Sequence, residues 1–167
     1  MNPVIATLAG WFEPWAALYG ESTALQAGTV FLHLGGLLIG GGGAVAEDLG
    51  TLRAARGDPV RRGERLNLLG MAHRTVLFGL TLTAITGVLM LAADFEALVG
   101  LAVFWLKMGL VLVLLSNGAL MMRAETGARS PGPAGDRAWR LLTRAAGASA
   151  FLWFLILFVS VLLTESA

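Results

Sequence analysis

The sequence has no cysteine and only two histidines, His33 and His73. The first absence excludes disulfides, thiolate metal sites and cysteine nucleophiles. The second excludes any site that needs several imidazoles. Lysine occurs once, at Lys107, and the net charge is only +1. The chain therefore lacks the electrostatic footprint of a nucleic-acid binder. The N-terminus lacks the basic start and uninterrupted apolar run of a signal peptide. No Ser/His/Asp arrangement and no paired-carboxylate site at membrane depth is present. Gly40 to Gly43 is not a phosphate loop, because no strand precedes it and no Gly-Lys-Ser/Thr follows.

What is present is apolar. Hydrophobic residues make up 56% of the 167 residues and charged ones 14%, with a mean hydropathy of +0.74. They gather in blocks of about 20 residues, the length that crosses a ~30 Å hydrocarbon core. The expected fold is all-α: one integral membrane domain over 1–167, a four-helix up-down bundle with an N-terminal interfacial helix. The membrane helices are expected at about 24–48, 70–93, 98–122 and 141–164, with loops over 52–66 and 124–137. Residues 1–20 form the interfacial segment. There Asn2-Pro3 reads as cap and first helical residue. Trp11, Phe12, Trp15 and Tyr19 suit headgroup depth, with an interruption near Pro14. Thr23 and Gln26 have capping-box spacing, Asp58-Pro59 starts the second membrane helix, and Asp136 caps the fourth.

The charges set the orientation. One connection carries Arg53, Arg56, Arg61, Arg62 and Arg65, and another Arg123, Arg129, Arg137, Arg140 and Arg144, whereas the link between them carries Asp94 and Glu96. The positive-inside rule puts both basic connections in the cytoplasm and both termini outside, in a bacterial inner membrane.

An ionisable side chain at membrane depth is a candidate functional group. On the first membrane helix, His33, Gly36, Gly40, Gly43 and Glu47 are spaced by 3, 4, 3 and 4 residues, one helical face. Gly36, Gly40 and Ala44 also form a small-xxx-small run. These glycines admit either a neighbouring helix or a flat cofactor beside His33. On the third helix Lys107, Leu110, Leu114, Asn117 and Met121 share a stripe. His33 lies ~21 Å above Glu47 and Lys107 ~24 Å above Arg123, so both belong to the outer half. His73 lies ~32 Å below the outer boundary and belongs to the inner edge. Two polar layers follow: an outer one of His33 and Lys107, and an inner, structural one of Glu47, Asp48, His73, Arg74 and Asn117. A single haem held by both histidines is disfavoured by this offset. Thr81, Thr83 and Thr86 read as interhelical hydrogen-bonding residues. Helix 4, with Phe151, Trp153, Phe154 and Phe158, reads as structural or as a face toward lipid or a partner.

His33, the charged turn after its helix, Glu64-Arg65 leading into the second helix, and Phe104-Trp105-Leu106-Lys107-Met108-Gly109 in the third together resemble the HemJ-type protoporphyrinogen oxidases and the wider CopD-like membrane superfamily. The resemblance covers roughly Thr29 to Val161. It departs at Ser116-Asn117-Gly118, where the family has a Tyr-His pair, and at the glycine run, where the family is aromatic and prolyl. The resemblance implies haem b as cofactor, with His33 as a ligand of its iron and Lys107 as a second ligand, propionate partner or catalytic group. Gly36 and Gly40 would line the cofactor. The function it implies is membrane electron transfer or protoporphyrinogen oxidation, with a quinone or another membrane carrier as partner. The alternative is a non-catalytic subunit of a larger respiratory or photosynthetic complex, or a homo-oligomer. A transporter lacks support, since no discontinuous helix or inverted repeat is evident.

Overall fold

The computed structural model describes residues 3–57 and 59–166. Its elements are α1 (Pro3–Glu21), α2 (Thr23–Leu37), a π-helical turn (Leu38–Gly42), α3 (Gly43–Ala54), α4 (Pro59–Ala93), α5 (Phe95–Val99), α6 (Ala102–Ala128) and α7 (Gly132–Ser166). There is no strand among the described residues. α2, the π turn and α3 form one continuous rod, Thr23–Ala54. This rod, the His73–Ala93 part of α4, α6 and α7 are four helices long and apolar enough to cross a membrane.

Local chemistry explains most boundaries. The cap of α2 is Ser22 rather than Thr23: Ser22 is extended and its hydroxyl accepts from the Leu25 amide at 3.2 Å. The Gln26 amide instead donates to the Tyr19 and Gly20 carbonyls at the end of α1. Asn2 and Asp58, the expected caps of α1 and α4, lie outside the described residues. α7 begins at Gly132, whose φ of +74° suits a residue without a Cβ. Asp136 is therefore inside α7, and it pairs with Arg62 at 2.6 Å instead of capping. Among the described residues the expected loops shrink to 55–57 and 129–131, because the arginine-rich turns stay helical and find partners on neighbouring helices.

Pro14 does not interrupt α1. A proline inside a helix costs about 3 kcal/mol, and tertiary anchors next to it offset that cost. The Trp15 indole donates to the Leu89 carbonyl at 2.8 Å, and the Phe12 and Phe95 rings lie 5.2 Å apart. α1 thereby lies against α4 and α5 at the end away from the arginines.

α2 and α3 run antiparallel to α4, and α6 runs antiparallel to α7. The two pairs approach each other most closely where α3 meets α7. The buried apolar cluster sits at the arginine-rich end: Leu66 and Leu69 of α4, Ala124 and Ala128 of α6, and Leu142 of α7. Arg62 donates to Asp136 and to the Ala128 carbonyl, and its guanidinium stacks 5.3 Å from the Trp139 ring. Arg129 donates to the Leu66 carbonyl and to Glu125. These contacts clasp the two pairs together at that end. Toward the far end, α2 and α4 pack on each other but do not approach α6 and α7 in the same way.

Candidate functional site

The predicted stripe of the first rod faces α4 along its whole length. His33 meets Thr86 and Gly87, Gly36 meets Thr83, Gly40 meets Gly79 and Leu80, Gly43 meets Val76, and Glu47 meets Arg65. The glycines serve this contact. A Cβ at Gly36 would lie 2.6 Å from the Thr83 hydroxyl oxygen, and one at Gly40 would lie 2.6 Å from the Leu80 amide nitrogen. Gly36 and Gly40 therefore border no space for a cofactor; the backbone of α4 occupies that side. Gly41 faces the other way and makes room for the Trp153 ring of α7, 2.9 Å from where its Cβ would be.

The outer layer is built around His33, which is half-buried. Thr86, 3% exposed, donates its hydroxyl proton to the Leu82 carbonyl at 2.7 Å. Its oxygen is then free to accept from His33 Nδ1 at 3.0 Å. The Thr83 carbonyl lies within hydrogen-bonding reach of the same ring. A proton on Nδ1 answers both acceptors and leaves Nε2 its lone pair. Gly87 leaves room for the ring, since a Cβ there would lie 3.3 Å from His33 Cε1. Lys107 of α6 is also half-buried, and its charge acts on His33. No carboxylate among the described residues pairs with Lys107. Thr83 Oγ1 is buried without a partner beside this layer.

The inner layer has a different membership from the expected one. Its base is Arg65. The Arg65 guanidinium pairs with Glu47 Oε2 at 2.5 Å, donates to the Glu47 carbonyl, and donates through Nε to the Thr51 hydroxyl at 3.2 Å. Thr51 donates in turn to the Glu47 carbonyl at 3.0 Å. Gly50 provides the space, because a Cβ there would lie 2.8 Å from Arg65 Cζ. Asp48 turns to α7, where the Ser149 hydroxyl bonds its carboxyl. Arg74 is exposed and His73 bonds the Leu69 carbonyl of its own helix at 2.9 Å. Neither belongs to the latch. Asn117 donates to the Ala145 carbonyl at 2.9 Å and ties α6 to α7, apart from the carboxylates. Arg65 was not placed in this layer by the sequence: the early start of α4 puts it on a helix, but only the packing of α3 on α4 brings it to Glu47.

The two histidines are far apart. His33 is level with Thr86, and His73 lies thirteen residues earlier on α4, roughly 20 Å at the helical rise. Among the described residues no group of three His, Cys, Asp or Glu side chains is arranged to hold a metal ion. A site built on His33 would have one imidazole donor, with Lys107 the cation whose charge acts on it. No family model matches the chain, and neither a curated protein nor a solved structure matches it.

Proposed function

We propose that this chain is a multi-pass membrane protein of a bacterial inner membrane that binds b-type haem through His33 and takes part in electron transfer. The four long apolar helices would form an antiparallel bundle, with the arginine-rich links in the cytoplasm and both termini outside. The observation that carries the reading is the His33–Thr86 hydrogen bond. A histidine that ligates a metal donates its other ring nitrogen to a fixed acceptor. Thr86 is such an acceptor, and it leaves Nε2 as the free donor.

His33 would supply one imidazole ligand to the haem, and the glycine side of its helix, filled by α4, would not line it. Nε2 would bind the iron, and Lys107 would serve as second ligand or propionate partner. Bound haem would supply one-electron redox chemistry. The chain's own part is to hold the imidazole tautomer with Thr86, to set a positive charge at Lys107, and to keep water away with apolar helices. Electrons would pass to a quinone or another membrane carrier. Protoporphyrinogen oxidation, if it occurs, would bring Lys107 against the substrate. Absorption spectroscopy of protein purified in detergent from haem-replete cells tests the reading. A Soret band is expected, and its absence would contradict haem binding.

A second reading, a non-catalytic subunit of a larger membrane complex, is favoured by one observation. Large apolar side chains such as Phe31, Phe78, Leu112 and Phe154 lie more than half exposed on all four long helices. Co-purification of a stoichiometric partner, with no chromophore, would select it.

A further inference from the structure

Asp48 is buried to 2% exposure in the middle of a helix contact. Thr51, one turn later, is fully buried, and α7, which packs on α3, buries the small residues Ala145, Ala146 and Ser149. One Asp48 oxygen is met by the Ser149 hydroxyl. The other, Oδ2, is buried and has no partner. The charges that reach Asp48 are few: Glu47 on its own helix and Arg65 from α4, with only the Ser149 hydroxyl coming from α7. Arg65 is already committed to the Glu47 carboxylate, the Glu47 carbonyl and Thr51. Two carboxyl groups thus share one guanidinium, and that guanidinium is turned to the other carboxyl. An ionised Asp48 would leave the layer with an uncompensated negative charge and an undonated oxygen, the arrangement that burial penalises most. A proton on Asp48 removes both.

A shallow pocket of about 190 Å³ opens at the arginine-rich end, lined by Arg53, Ala54, Arg61, Glu64, Arg65 and Leu68. Arg65 is thus both a wall of this pocket and the partner of Glu47, the residue next to Asp48. We infer that Asp48 is a proton-binding site, loaded from the arginine-rich face through the Arg65–Glu47 pair. Its ligand is a proton rather than a metal cation, because Thr51 and Glu47 are already used and offer no further coordinating oxygen to Asp48. The site is separate from His33 and does not depend on what His33 binds.

A hydrophobic carbodiimide tests this, because it modifies carboxyl groups that are protonated in apolar surroundings. The full-length protein in liposomes is treated with dicyclohexylcarbodiimide over a pH series, and the adduct is located by peptide mass spectrometry. The expected result is an adduct on Asp48 that is lost as pH rises and is unaffected by exchanging sodium for choline, with Glu47 unmodified. Asp48→Asn should abolish it. The inference is overturned if native protein gives no Asp48 adduct at any pH while protein unfolded in detergent at acid pH does. It is equally overturned if sodium suppresses the adduct at constant pH, which would mark a cation site.

Discussion

His33 owes its orientation to how Thr86 spends its own proton. With the hydroxyl hydrogen directed to Leu82, the oxygen is left to accept, and a histidine protonated at Nδ1 donates to it. Thr86→Val keeps the shape and removes the acceptor. Loss of such an outer partner typically costs 10- to 100-fold in metal affinity, so haem titration of the variant should show weakening of about that size with the fold intact. The inner layer gives a second comparison. Arg65→Met strands the Glu47 carboxylate, at a cost of about 3 kcal/mol, whereas Arg74→Met, at an exposed position, should change stability by less than ~0.5 kcal/mol. Thermal unfolding in detergent reads both. The nearness in depth that lets the Lys107 charge act on His33 was legible because counting residues along a helix measures depth. The partner of Glu47 was not, because Arg65 stands among four other arginines and only the packing of α3 on α4 singles it out.

At the scale of the helix, the glycine run resolves into separate tasks. Gly36 and Gly40 admit α4, Gly41 admits Trp153, and Gly79 answers from the other side: a Cβ at Gly79 would lie 2.7 Å from the Gly40 Cα and 2.8 Å from the Gly36 carbonyl oxygen. Backbone cannot retreat from such a contact as a side chain can. Gly79→Ala should therefore destabilise the protein by about 1–3 kcal/mol. Gly109→Ala, with open space around its Cβ, should be neutral or slightly stabilising. The same thermal unfolding measurement distinguishes them. Helical spacing made the stripe of His33, Gly36, Gly40, Gly43 and Glu47 legible as one face. Spacing carries no information about which neighbour that face meets, so the choice between helix and cofactor stayed open until α4 was located. The uninterrupted α1 was illegible for a related reason: the anchor that offsets Pro14, the Trp15 bond to Leu89, joins residues 74 apart in sequence.

For the whole molecule, the two arginine-rich links lie at one end and the α5 connection at the other. The absence of native cysteine makes the topology directly measurable. Arg56→Cys and Ser130→Cys should react with an impermeant maleimide only after the inner face is exposed, and Gly100→Cys should react from the outside in intact cells. The number of long apolar helices was legible, since apolar length is a property of the chain alone, but their extension into the arginine-rich turns was not. The clasp of Arg62 and Arg129 at one end, and the looser association of the helix pairs at the other, depend on tertiary contacts. The central claim rests on that looser end, where Thr86 holds His33 and the charge of Lys107 acts on it. Its most direct test is the Soret absorbance per mole of purified protein in His33→Ala and His73→Ala variants. The account predicts that the band is lost in the first and retained in the second. Retention in His33→Ala, or equal loss in both, would contradict it.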